Sequence, residues 1–115
     1  MALPNFDVEL ALREPTELLA EELRQMKSQF LIEDRSDNGW GLVLRAEKAS
    51  GQSLKEILET LVKACGPFEV SIARCKPVLR VAAFNPNLTC TIWIDEASFI
   101  AKIGASIEVS VYPVD

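Results

Sequence analysis

Apolar and polar residues alternate from the start of the chain. Phe6, Val8, Leu10 and Leu12 point one way, and Asp7, Glu9, Ala11 and Arg13 the other, the period of a strand with two unlike faces. Pro15 suits the first turn of a helix. Leu19, Leu23, Met26 and Phe30 then recur at helical spacing opposite Glu17, Glu21 and Gln25, which predicts a helix over 15–30. The polar run EDRSDNG at 33–39 breaks that period and reads as a loop. In WGLVLRAE, which follows, Trp40, Leu42, Leu44 and Ala46 share one face of a strand.

The clearest helical signal lies over 53–65. Ser53 with Glu56 three residues on forms a capping box, and Leu54, Ile57, Leu58, Leu61, Val62 and Cys65 form one apolar stripe. Glu59 and Lys63 are an i,i+4 pair on the outer side, and Gly66-Pro67 stops the helix. Three strands are expected next: FEVSIAR at 68–74, PVLRVAAF at 77–84, and LTCTIWI at 88–94 after the turn-forming NPN. Asp95 is the expected N-cap of a helix over 96–103, and Gly104 takes the left-handed conformation that ends helices. In the closing strand Ile107, Val109 and Val111 face one way, and Ser106, Glu108, Ser110 and Tyr112 the other.

The order is β-α-β-α-β-β-β-α-β. One polar face on most strands points to helices on a single side of the sheet. The expected architecture is a single α+β domain over 1–115, a two-layer sandwich of one mixed or antiparallel sheet of about six strands with three helices on one face. Leu58, Leu61, Phe99, Val109 and Val111 are its expected core.

Composition narrows the function classes. With 115 residues, 49% hydrophobic and 25% charged, the chain is long enough to bury a core without metal or disulfide support. Seventeen acidic residues against twelve basic ones give a net charge of −5, which disfavours nucleic acid and anionic membrane and suits a basic partner. Three cysteines, Cys65, Cys75 and Cys90, come without a C-x-x-C, and there is no histidine, so the usual zinc patterns are absent. Each cysteine lies within or at the end of an apolar element, where a thiol behaves as a small buried hydrophobe. The start of the chain does not read as a signal peptide, nor is there an uncharged apolar run of membrane-spanning length. A reducing cytoplasm is the expected compartment.

Catalytic constellations fare poorly. Asp34, Ser36, Asn38 and Gly39 fall on the first, third, fifth and sixth positions of a calcium-binding loop, but the twelfth position, which needs a bidentate glutamate, is Arg45. Without histidine, Ser-His-Asp and Cys-His arrangements are impossible. The glycines are not clustered for a phosphate. Paired carboxylates remain, among Glu33, Asp34, Asp37, Asp95 and Glu96, but carboxylates in loops and at helix starts are ordinarily solvated or capping. No metal or cofactor is expected, and the pattern argues against an enzyme.

The element order also resembles a small bacterial family catalogued as a domain of unknown function, number four-two-seven-nine. The likeness rests on a tryptophan-led strand (GWGLVL), an amphipathic helix (LKEILETLVKAC) and a helix-Gly-Ala-strand-Tyr ending (IAKIGASIEVSVY), with Trp40, Gly104, Ala105 and Tyr112 as its marker residues. The resemblance implies a likeness to small immunity-type proteins encoded near toxin genes. It carries over no catalytic residue.

A binding role fits the charge pattern. Glu17, Glu21, Glu22, Glu33, Asp34 and Asp37 put six of the seventeen acids within about twenty residues, partly offset by Arg24, Lys27 and Arg35. Such a surface suits the basic cleft of a nuclease toxin by charge complementarity. Trp93, beside Thr89 and Thr91 on one face of the strand expected over 88–94, is a candidate anchor, although a one-residue slip of register would turn it to a helix. Two readings result. One is an interaction protein that binds and neutralises a toxin through Glu17, Glu21, Glu22, Asp34, Asp37 and Trp93. The other is a small-ligand-binding or homodimeric housekeeping domain, paired through the terminal strand if that strand has one neighbour.

Overall fold

The computed structural model of the chain describes residues 5–26, 30–46, 53–85 and 92–113. In chain order the elements are β1 (Asn5–Leu12), α1 (Glu17–Gln25), β2 (Phe30–Arg35), a 3-10 turn (Ser36–Asn38), β3 (Gly41–Ala46), α2 (Leu54–Cys65), a 3-10 turn (Gly66–Phe68), α3 (Glu69–Ala73), β4 (Pro77–Asn85), α4 (Ala97–Ile103) and β5 (Ser106–Pro113). Five strands form one mixed sheet in the order β2-β3-β1-β4-β5. All pairs are antiparallel except β4 with β5. The connection from β4 to β5 carries α4, the kind of crossover that a parallel pair requires.

Strand parity separates two faces. Val8, Leu10 and Leu12 of β1, Leu42 and Leu44 of β3, and Leu79 and Val81 of β4 belong to one buried cluster. The same cluster holds Leu19 and Leu23 of α1, Ile57, Leu58 and Leu61 of α2, Ile72 of α3, and Phe99, Ile100 and Ile103 of α4. This is the core face. Each fully buried aliphatic side chain there contributes about 1.5–3 kcal/mol. Residues of the other parity form the charged face, whose small apolar patch is Ala11, Val43 and Val78.

Helix α2 forms as expected. Ser53 Oγ accepts from the Glu56 amide at 3.2 Å while Glu56 reaches back to Ser53, and the helix ends at Cys65 before Gly66. Gly104 closes α4 at φ 63°. Gly41 also has positive φ, and a Cβ there would collide with the carbonyl oxygen of Leu12. Only glycine allows β3 to start this close to the end of β1.

Several expectations are corrected. Pro15 lies before the helix, whose N-cap is Thr16, and α1 stops at Gln25. Phe30 sits in β2, opposite Ala46. The apolar run Phe30-Leu31-Ile32 fits helix or strand locally, and pairing with β3 makes it a strand that continues through Glu33–Arg35, where a loop was expected. Residues 69–73 form helix α3, directly after the 3-10 turn Gly66–Phe68, not a strand. Cys65, Phe68, Ile72 and Cys75 follow helical spacing toward the core, whereas the strand reading would align Val70 with Phe68 and Ile72, and Val70 is 69% exposed.

The strand expected over 88–94 falls largely outside the described residues. Residues 88–91 lie outside the described residues, and Ile92–Ile94 are in no strand, so the sheet has five strands among the described residues. Trp40 does not share a face with Leu42, because the positive φ of Gly41 breaks the alternation; its ring packs on the charged-face patch. Glu96, not Asp95, is the N-cap of α4, and it makes no side-chain capping bond. Leu58, Leu61 and Phe99 are buried as expected, but Val109 and Val111 are 46% and 37% exposed. The reason is their strand: β5 is an edge, one strand beyond the buried Leu79, Val81 and Ala83 of β4.

Candidate interaction surfaces

Two charged surfaces stand out, one on each side of the sheet. The first is built by α1 and the end of β2. Thr16 Oγ1 accepts from the Leu19 amide at 3.2 Å and starts α1, and burial of Leu19, Ala20 and Leu23 fixes its rotation. Glu17, Glu21 and Arg24, spaced i, i+4 and i+7, then share one outer flank. Asp34 pairs in register with Leu42. Glu17, Glu21, Arg24 and Asp34 thereby line one concavity of about 590 Å³. Among the described residues, three carboxylates face one guanidinium there.

Asp34 is held as an anion. Its Oδ1 accepts from Ser36 Oγ at 2.6 Å and from the Ser36 amide at 3.0 Å. These bonds lower its pKa below the ordinary 3.8, with the charge of Arg24 adding to the effect.

Not every expected residue joins this concavity. Glu22 and Asp37 are exposed but do not line it. Trp93 is 75% exposed, between the half-buried Ile92 and Ile94. Of the two orientations the alternation allowed, the outward one is observed, although Thr89 and Thr91 lie outside the described residues. Glu33 leaves the acidic group altogether: in a strand, neighbours point to opposite faces, so Glu33 turns to the charged face while Asp34 stays on the core face.

The second surface is a row of charges on the charged face. Across four adjacent strands the register sets Arg45 opposite Glu9, Glu9 opposite Arg80, and Arg80 opposite Glu108. Glu9 is its centre. Arg35 Nη1 donates to both Glu9 carboxylate oxygens at 3.1 Å, and Arg80 Nη1 donates to Glu9 Oε2 at 3.1 Å. Arg35 also donates to Glu33 Oε2 through Nε and Nη2, at 3.0 and 2.7 Å. Arg45 lies 3.7 Å from Glu33, and Arg80 Nε donates to Glu108 at 3.2 Å. The Arg80 guanidinium stacks 4.1 Å over the Trp40 ring. Nearby, Phe84 and Tyr112 stack at 5.3 Å.

Within this row, Glu33 and Arg35 hold each other in their charged forms. Hydrogen bonding from Arg35 lowers the pKa of Glu33 below 4.5, and the same bond raises that of Arg35. A general acid working near neutral pH needs a carboxyl pKa that is raised. Glu33 and Asp34 are both displaced the other way. Among the described residues no group of three or more Cys, Asp or Glu side chains is placed to hold a metal ion, and no helix is long and apolar enough to cross a membrane.

Sequence reasoning passed over this second surface. Its available signal was Arg80, a charge in the middle of the apolar strand PVLRVAAF, which requires a partner on its face. In comparisons with protein-family models, curated proteins and solved structures, nothing matches the chain.

Proposed function

We propose that the chain is an acidic interaction protein that binds a basic protein partner through α1 and the end of β2, with no catalytic role of its own. A bacterial toxin domain with a basic cleft is the concrete partner, in line with the family resemblance. The fold, read as two layers with the helices on the core face, is then a rigid frame for that surface. The observation that carries the reading is the convergence of Glu17, Glu21 and Asp34 on one concavity, where among the described residues Arg24 alone offsets the three carboxylates. Asp34 enters it already fixed and ionised by Ser36. A lysine or arginine side chain of the partner would fill the concavity and pair with these groups.

Capture of partners from the source cell, followed by association kinetics at two salt concentrations, tests this. Glu17→Lys with Glu21→Lys should slow association about tenfold or more at low salt and flatten the salt dependence. The reversals Glu22→Lys and Asp37→Lys, outside the concavity, should do less. Equal effects from both pairs, or wild-type rates from the first, would reject the concavity as the docking point.

A further inference from the structure

Strand β5 is a free edge: among the described residues, its one strand neighbour is β4. Ile107, Val109 and Val111 lie on its core face, in register with Leu79, Val81 and Ala83. Those three β4 residues are buried, while Ile107 and Val109 are 46% exposed and Val111 37%. The apolar face therefore runs uncovered to the rim of the sheet.

Sheet edges are normally blunted by charges, prolines or bulges. The opposite edge, β2, carries Glu33, Asp34 and Arg35 within six residues. On β5 the one charged residue, Glu108, is drawn back over its own sheet by Arg80 at 3.2 Å, and Pro113 stands only at the last of eight positions.

We propose that β5 pairs antiparallel with β5 of a second copy of the chain, about a twofold axis normal to the sheet and centred on Val109. Two five-stranded sheets become one continuous sheet, and the exposed stripes merge. The register follows from self-complementarity. A twofold normal to the sheet keeps both core faces on the same side, so residues face each other only where their numbers sum to an even constant. Centred on Val109, the pairing sets Ile107 opposite Val111 of the second copy and Val109 opposite itself. Glu108 then faces Ser110, and the two Glu108 carboxylates sit diagonally, each matched by its own Arg80. Centred on Glu108, two carboxylates would oppose each other directly, which is unfavourable. Centred on Ser110, Ile107 would face Pro113, which has no N–H to give.

The oligomeric state of the full chain, from light scattering or sedimentation over a range of concentrations, tests the proposal. The expected mass is twice the 12.7 kDa of one chain. Val109→Lys sets lysine against lysine at the axis and should leave a monomer. The half-exposed position should preserve the circular-dichroism spectrum. Val109→Cys should cross-link to a covalent dimer on mild oxidation, since opposed residues of antiparallel strands are about 4.5–5.5 Å apart at Cα, within disulfide reach. Ile107→Cys, facing Val111, should not, and the unmodified chain controls for its own cysteines. The proposal is overturned by a wild-type monomer at every concentration, with or without another protein's strand on β5. A dimer that survives Val109→Lys overturns it as well, as does cross-linking at Ile107→Cys in place of Val109→Cys.

Discussion

The two faces of the sheet use the same strands and the same alternation, yet they hold the fold by different means. On the core face, Leu10, Leu44 and Leu79 line up across three strands in one cluster with the buried side chains of the helices. One residue earlier in β1, the row on the other face is Arg45, Glu9, Arg80 and Glu108. Burial on the core face is non-directional: it rewards any arrangement that removes apolar area from water. Ion pairs with fixed geometry contribute less to stability, but they discriminate between registers. A slip of one residue would send Arg80 into the core and part it from Glu9, so the charged row acts against misaligned strands. The contrast teaches that stability and register specificity are divided between the faces.

If that division is right, the largest losses come from the core face. Leu61→Ala should cost about 2–5 kcal/mol in chemical denaturation, because Leu61 is 2% exposed among α2, the sheet and α4. Cys65 follows one turn along the same stripe and offers a second readout. Burial pushes its thiol pKa up to about 12, and Cys75 is buried with its Sγ donating to the Ser71 carbonyl at 3.2 Å. Both are free thiols, so native alkylation should be slow and should quicken in Leu61→Ala as opening becomes easier. An unchanged midpoint together with unchanged labelling would show that α2 does not carry the core.

The charged face should respond less. Glu9→Ala removes the carboxylate shared by Arg35 and Arg80 while the Glu9 side chain is 15% exposed. Loss of charge-assisted bonds of that kind costs about 1–3 kcal/mol, reduced by the solvent access of the arginines. Its distinctive sign is loss of register. Amide exchange should rise along β1 and β4 more than in α2. A uniform rise across both faces would mean that Glu9 contributes to general stability alone and does not select the register.

How far these features could be read from the sequence depends on whether their causes are local. Helix α2 was legible because its capping box and its stripe lie within thirteen residues, Ser53 to Cys65. The face assignments of β1 and of Leu42 and Leu44 were legible for the same reason. Residues 68–74 were not, since Phe68 and Ile72 satisfy both periods and only the exposure of Val70 separates them. Strand order is a non-local property. Without it, neither the meeting of Glu9 with Arg80 nor the edge position of Val109 could be seen. For the candidate site, the acidic excess was visible as composition. Its division was hidden, because it depends on β2 being a strand, which sends Glu33 to one face and Asp34 to the other.

That division yields the smallest expected effect, in the pH dependence of stability. The folded-state pKa of Glu33 is lowered from 4.5 by its bond to Arg35, so the folded state favours the anion more than the unfolded chain does. The resulting stability is fully present above about pH 4.5 and is lost as pH falls through the lower folded-state value. The Glu33 side chain is 33% exposed, and solvent screening at such a site keeps the contribution at or below about 1 kcal/mol. Glu33→Gln should therefore lower stability slightly at pH 7 and by less at pH 3, as the pH falls toward the lowered folded-state value. Denaturation midpoints of the two proteins, compared at both pH values, measure the difference. A gap that stays constant or widens toward low pH would mean that Glu33 acts through packing and not through its charge, and the ion pairs of the charged face would lose their claim to a separate role.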